Sequence, residues 1–252
     1  MQKVLAGVFL LAAYCAAVAQ TSVVAILPMV ENQIRVGKMN VNLPPGSWRV
    51  LASDDFRTSG GDSQGRVERK YLVKVNEKNQ LEAAVGINAS ASSSVVTSWN
   101  DAVCDRKDTL WIQELDGNFK YPACLLINHI TPFWTSVPTN SFDRQIFDWY
   151  RANKVELPKT ALFSTYRKYF SGDFIYASYW INPELLGFAP DTGTAWQNSN
   201  WHPGLIKDDP AKVKYVEDLK AWSKSIAASH RNSLIKGEPV GEKLAAFPVV
   251  KN

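Results

Sequence analysis

Residues 67–87 read VERKYLVKVNEKNQLEAAVGI, two runs in which mainly apolar side chains recur at every second position around a polar segment. A period of two places these side chains on one face of a β-strand. The residues that share a face are Val67, Arg69, Tyr71, Val73 and Val75 in the first run and Leu81, Ala83, Val85 and Ile87 in the second. Two such runs joined by a short turn-forming segment predict an antiparallel hairpin.

A second hairpin is predicted farther along the chain, where residues 109–115 and 119–129 flank Asp116-Gly117-Asn118. Asp-Gly between two alternating runs is a strong hairpin signal. The turn brings Cys104, just before one strand, near Cys124 inside the other, within the reach of a disulfide. Closing a loop of this length stabilises a chain by about 3 kcal/mol. We therefore expect one disulfide, Cys104–Cys124.

The N-terminus has the three parts of a secretory signal peptide, which we place at residues 1–19. Lys3 precedes an apolar run over residues 4–18, which closes on Ala17-Val18-Ala19. The run is shorter than the roughly 20 apolar residues of a membrane-spanning helix, and it lacks a basic stop directly on its far side. Its removal would leave an even pair of cysteines, which is typical of exported proteins. We expect a periplasmic or secreted protein with no transmembrane segment after signal removal.

The C-terminal half is expected to contain a helix, an aromatic hairpin and a second helix. Residues 141–154 show apolar side chains at helical spacing, with Ser141 as the N-cap. Residues 160–169 and 173–181 are dense in β-branched and aromatic side chains on either side of Ser171-Gly172, which predicts a hairpin. Its aromatic members are Phe163, Tyr166, Tyr169, Phe174, Tyr176 and Tyr179.

The clearest helix comes last in the sequence. Asp209 and Pro210 form an N-cap and first turn, and Gly237 stands where a C-terminal cap belongs. The apolar stripe of this helix consists of Val213, Val216, Leu219, Ile226 and Leu234. A further apolar stretch at residues 247–250 predicts an edge strand.

These elements predict an α+β fold with a largely antiparallel N-terminal sheet of hairpins, helices concentrated in the C-terminal half and one disulfide. We expect residues 20–252 to form a single domain. An alternative division into two subdomains would fall near residues 131–140, a stretch with two prolines. Residues 58–65 and 88–98 are rich in Gly, Ala and Ser and are expected to be mobile loops.

Charge and motifs narrow the function classes. The formal net charge of +4 is spread along the chain without a basic block, which argues against nucleic acid as a partner. Phosphate-binding loops, zinc-protease signatures and dinucleotide-binding glycine patterns are absent from the sequence. His129, His202 and His230 lie far apart, whereas metal sites usually show closely spaced ligands. We therefore expect neither a metal nor a cofactor.

Residues 196–203, WQNSNWHP, combine the side chains from which a site could be built. One hypothesis takes Ser199 as nucleophile, His202 as base and Asp208 or Asp209 as the orienting carboxylate of a hydrolase, although Asp209 also serves as the predicted helix cap. The other takes the aromatic faces and amides of the stretch as a site for a ring-bearing polar ligand such as a glycan. The ligand-binding residues would then be Trp196, Gln197, Asn198, Asn200 and Trp201.

The sequence thus favours an exported, non-catalytic binding or envelope-associated protein whose ligand is unknown, with a glycan or an envelope protein as partner. One alternative is a periplasmic or secreted hydrolase of unrecognised family centred on His202. Another is a structural subunit of an envelope assembly, recruited through exposed edge strands. The sequence leaves open whether the protein is an enzyme.

Overall fold

The computed structural model of the protein describes residues 27–57, 65–92, 104–116, 122–134, 136–170, 172–230 and 241–250. Within these ranges eight β-strands form one antiparallel sheet, and two α-helices pack against it. The strands are β1 (Met29–Val36), β2 (Met39–Arg57), β3 (Arg66–Val75), β4 (Leu81–Ser90), β5 (Trp111–Asp116), β6 (Ala123–Ile130), β7 (Ala161–Phe170) and β8 (Asp173–Ile181). Their order across the sheet is β1-β2-β3-β4-β8-β7-β6-β5, so two four-strand meanders meet where β4 pairs with β8.

The three predicted hairpins are present, and they make the protein mainly a sheet protein. β3 pairs with β4, β5 with β6 and β7 with β8, all antiparallel. Cys104 and Cys124 form the expected disulfide, with their Cα atoms 6.0 Å apart. The expected α+β balance is therefore only partly right, because the described C-terminal half adds two long strands to the sheet along with its helices.

Several local predictions were wrong or incomplete, because some segments lack the side-chain pattern that is typical of the structure they form. β1 and the first part of β2 were not predicted, because β1 is an edge strand that buries only a few apolar side chains at one end. Residues 88–90 continue β4 instead of starting a loop. Residues 247–250 form no strand; Phe247 packs on Trp48 and Trp222 instead. The predicted loop at 58–65, apart from Gly65, and the signal peptide lie outside the described residues.

The two helices begin where their capping chemistry dictates. Asn140, not Ser141, caps α1 (Ser141–Ala152), because its side-chain oxygen accepts a hydrogen bond from the Asp143 amide at 2.8 Å. Asp209 caps α2 (Pro210–Ser229) as predicted, accepting from the Lys212 amide at 3.1 Å. The described part of α2 ends at Ser229, and the predicted cap Gly237 lies outside the described residues.

The helices create two cores on opposite faces of the sheet. α2 packs against β6 and β7, and its buried side chains include Tyr215, Leu219 and Trp222, whereas the predicted stripe residue Val213 is exposed. α1 packs over β2, where Gln145 donates to the Leu51 carbonyl at 2.8 Å. Both cores exclude water from apolar side chains, which is the main force that holds helices on a sheet. Neither described helix is long and apolar enough to cross a bilayer.

Candidate functional site

A cleft of about 520 Å³ opens on the α1 face of the sheet, beside the strands that α1 covers. This volume lies within the usual range for small-molecule sites. Six strands and the loop before β5 contribute to its wall. The described lining residues are Phe56, Val67, Asn88, Arg106, Leu126, Phe163, Thr165, Arg167, Phe174 and Tyr176.

At one side of the cleft, the lining residue Phe163 is paired with Trp180 on the neighbouring strand. Phe163, Trp180 and Ala84 are directly opposite one another on β7, β8 and β4. The Trp180 ring runs over Gly86, where a Cβ would come within 2.7 Å of the ring. Only glycine permits that approach, so Gly86 lets the Trp180 ring pack against Tyr71, with the ring centroids 5.6 Å apart and the ring planes tilted by 43°.

The floor of the cleft is low because three of the four paired residues in the next row are small. Leu126, Thr165, Ser178 and Gly86 are opposite one another across β6, β7, β8 and β4. Thr165 and Ser178 share a hydrogen bond of 2.7 Å, and the Ser178 hydroxyl donates to the Tyr176 hydroxyl at 3.1 Å. The Tyr176 hydroxyl is an acceptor in that bond, so its own hydrogen can serve a ligand.

The following row carries the charge of the cleft. Arg167 on β7 lies between Cys124 and Tyr176, and Asn88 is opposite Tyr176 on β4. The Arg167 guanidinium lies 5.3 Å from the Tyr176 ring centroid, a cation–π distance. Burial lowers the pKa of Arg167, because the charged form loses solvation. The guanidinium nevertheless stays charged at neutral pH.

A loop tied down by the disulfide brings a second arginine to the cleft. Cys124 is paired with Arg167 across β6 and β7, and Cys104 is joined to Cys124 by the disulfide. Arg106 is two residues after Cys104 and is therefore held close to this pair. Arg106 forms a two-pronged ion pair with Asp108, at 2.8 and 2.6 Å. Asn128 on β6 donates to the Asp108 carbonyl at 3.1 Å. These contacts fix the loop against β6.

The far end of the cleft is apolar. Phe174, Val67 and Phe56 close it from β8, β3 and the end of β2. Arg69 lies between the two aromatic rings of Phe56 and Phe142, at 5.3 and 4.1 Å, and its charge is matched by a two-pronged bond to Asp54. This ion pair stands at the boundary between the cleft and α1.

The three residues of the hydrolase hypothesis do not form a hydrogen-bonded triad. The Ser199 hydroxyl donates to the buried carboxylate of Asp191, and His202 Nδ1 accepts from the Gly204 amide at 3.1 Å. Ser199 and His202 contact each other through their backbones at 2.9 Å, and Asp208 is exposed. The seryl proton therefore points to Asp191, not to a histidine base.

Asp191 explains why Ser199 is buried. Burial alone would raise the pKa of this carboxyl, but hydrogen bonds from Ser199, Thr160 and the amides of Gly193 and Asn200 outweigh it and lower the pKa to about 2. The distances are 2.7 Å from Thr160, 2.8 Å from Gly193 and 3.0 Å from Asn200. A carboxylate with this many donors holds the loop in one conformation, which is a structural task.

The predicted ligand-binding loop turns its two tryptophans towards the protein. Trp201 is 1% exposed and packs edge-on against Phe188, with its ring centroids 4.9 Å apart. Trp196 stacks on His129 and meets His202 edge-on. Of the three side-chain amides in the stretch, Asn198 accepts from two backbone amides and Gln197 is exposed. Lys212 donates to the backbone carbonyl of Asn200, whereas the side-chain oxygen of Asn200 is buried with no hydrogen-bond partner among the described residues.

Two of the three histidines lie beside the same tryptophan, and the third lies elsewhere, at the end of α2. His129 and His202 both contact Trp196, whereas His230 caps α2 and bonds the Tyr179 hydroxyl at 2.7 Å. Within the described ranges, no group of three His, Cys, Asp or Glu side chains is placed to hold a metal ion.

The cleft was missed at the sequence level, although part of its signal was visible. Phe163, Phe174 and Tyr176 belong to the aromatic hairpin of residues 160–181, and their alternation assigns them to one face. The pairing of that hairpin with β4, which adds Asn88 and Gly86, has no local signal. Comparison with protein-family models, with curated proteins and with solved structures found no match to this chain.

Proposed function

We propose that this chain is an exported, non-catalytic binding protein and that it holds a small, ring-bearing and largely apolar molecule in the cleft. The observation that carries the proposal is a cavity of about 520 Å³ whose described lining combines four aromatic rings with a few polar groups. Binding sites for small molecules have this composition, because apolar walls supply affinity and sparse polar groups supply orientation. The disulfide supports export, since such bonds persist in oxidising compartments.

The chemistry of the lining supports binding over catalysis. The described lining contains no histidine, carboxylate or thiol that would act as base or nucleophile. Its hydroxyls on Thr165 and Tyr176 belong to a chain of hydrogen bonds through Ser178. A glycan at residues 196–203 is supported less well, because the Trp201 ring is buried. The hydrolase and envelope-assembly alternatives stay predictions.

The test is a fluorescence titration with N-phenyl-1-naphthylamine, a neutral dye that brightens in apolar sites. We expect saturable binding with one site per chain. Asn88→Phe should abolish it by filling the cleft from β4, where Asn88 is half-buried in the lining. Asn40→Phe, the same substitution at an exposed β2 position, is the control and should bind as the wild type does. Equal binding by both variants, or no saturable binding at all, would reject the proposal.

A further inference from the structure

The cleft carries a charge asymmetry that its apolar walls do not explain. Among the described lining residues two are arginines and none is acidic. Both arginines lie towards the β6 side of the cleft: Arg167 is on β7, which pairs with β6, and Arg106 is in the loop before β5, which the disulfide ties to β6. The opposite end, at Phe56, Val67 and Phe174, is apolar. A ligand would therefore meet cationic groups at one end and rings at the other.

Arg167 is the better placed of the two cations. Its strand position fixes it between Cys124 and Tyr176, and the surrounding protein removes much of its solvent. Charge interactions strengthen as water is excluded, so an anion beside this guanidinium gains more than it would at the surface. Tyr176 adds an O–H group whose hydrogen is not used in its bond from Ser178. Together they offer two donor groups to one anionic end.

Arg106 supplies a second cation that the disulfide holds in place. The Cys104–Cys124 bond joins its loop to the row that contains Arg167. Asp108 takes two of its N–H groups, and guanidinium has five, so donors are left for a ligand. Arg106 is exposed, whereas Arg167 is half-buried, so water screens the charge of Arg106 more and Arg106 should contribute less to anion binding.

On these grounds we propose that the cleft selects aromatic organic acids, with the rings between Phe56 and Phe174 and the acidic group at Arg167, Arg106 and Tyr176. This selectivity rests on the proposed binding function and adds the chemical class of the ligand. The acidic group is a carboxylate or a sulfonate, since either presents several acceptor oxygens to planar guanidinium groups.

Two dyes with one ring system provide the test. 8-Anilinonaphthalene-1-sulfonate has the rings of N-phenyl-1-naphthylamine plus one sulfonate. The quantity measured is the ratio of their dissociation constants in each variant, so general losses of apolar binding cancel. Arg167→Gln should shift this ratio against the sulfonate by about tenfold or more, as expected for loss of a charge-assisted hydrogen bond. Arg106→Gln should shift it less, and Arg167→Lys should retain most of the preference.

Arg35→Gln is the matched control, because Arg35 is an exposed arginine on edge strand β1 and does not line the cleft. It should leave the ratio within about twofold of the wild type, which is less than 0.5 kcal/mol. An unchanged ratio in both Arg167→Gln and Arg106→Gln would overturn the selectivity while neutral dye still bound. Failure of the wild-type protein to bind either dye would reject the binding function itself. Circular dichroism of each variant confirms that it is folded.

Discussion

Two neighbouring regions of one sheet face differ in what covers them. Over β2 and β3 the face is sealed by α1, where Tyr71 and Tyr150 are buried and share a hydrogen bond of 3.2 Å. Over β4, β8, β7 and β6 the same face is an open cleft. Both regions are rich in aromatic residues, so composition does not separate them. The open region differs in having three small residues, Thr165, Ser178 and Gly86, in the row at its floor and two arginines at one end.

The difference teaches which aromatics stabilise the fold and which are available to a ligand. Tyr150 contacts Trp134 and Trp149 as well as Tyr71, so its ring is fully enclosed by protein. Tyr176 has the same chemistry, but it is half-buried and lines a cavity. A ring that the protein already encloses contributes to stability, whereas a ring at a cavity wall keeps part of its surface for a partner.

The largest expected effect separates the two regions by a matched pair of substitutions. Tyr150→Ala should lower the free energy of unfolding by about 3–5 kcal/mol, as for other large buried aromatics. Tyr176→Ala should cost clearly less, because part of the ring is already in solvent. Denaturant unfolding of both variants measures the two losses. Equal losses would mean that the cleft residues are as deeply packed as the α1 core.

Acid should weaken the fold through the other face of the sheet. Burial lowers the pKa of His129 to about 4 and that of His230 to about 3. Below the ordinary value of about 6.5 the unfolded chain takes up protons that these folded histidines do not, so stability falls as the pH falls. Each histidine should cost about 2 kcal/mol between pH 7 and pH 5.

Urea unfolding at pH 7, 6 and 5 measures this loss, and dye binding provides the comparison. The described cleft lining holds no histidine, so the amount of 8-anilinonaphthalene-1-sulfonate bound per folded molecule should change little over this range. A His230→Asn variant should show a shallower decline in stability. If stability were constant from pH 7 to 5, these two histidines would not be buried in their neutral form.

The disulfide should affect both stability and the charged end of the cleft. Replacing Cys104 and Cys124 together by Ser should lower the free energy of unfolding by about 3 kcal/mol, for a separation of 20 residues. The double variant should also lose affinity for the sulfonate dye more than for the neutral dye, because the loop that carries Arg106 is released. Wild-type protein under reductant should behave in the same way. Unaltered affinity for both dyes would show that Asp108 and Asn128 hold the loop without the disulfide.

Much of the sheet could be predicted from the sequence, because hairpins are local. The alternation in residues 67–87 and the Asp-Gly signal in the sequence before β6 each predicted their own pairing, and the disulfide was expected from the second of these. The pairing of β4 with β8 joins residues about ninety positions apart and has no local pattern. The open cleft depends on that pairing, which is why it was not predicted.

The two tryptophans of residues 196–203 show the other limit of sequence interpretation. The composition of a segment does not tell whether its aromatic side chains fill a core or lie at a binding surface. Only the fold decides between the two. Here Trp201 packs on Phe188, with Lys212 5.3 Å from its ring. Asp191, which organises the loop by accepting hydrogen bonds, carried no recognisable motif in the sequence. Its role depends on Thr160, which is brought close only by the fold.

The most direct test of the binding site is an amide ¹H–¹⁵N spectrum of the protein titrated with N-phenyl-1-naphthylamine. We predict that the shifted signals cluster at residues 86–89, 163–167 and 174–178, which form the floor and walls of the cleft. Residues 142–150 of α1 and residues 196–203 should change little. Shifts concentrated in residues 196–203 would instead place the ligand at the tryptophan loop and contradict the cleft as the binding site.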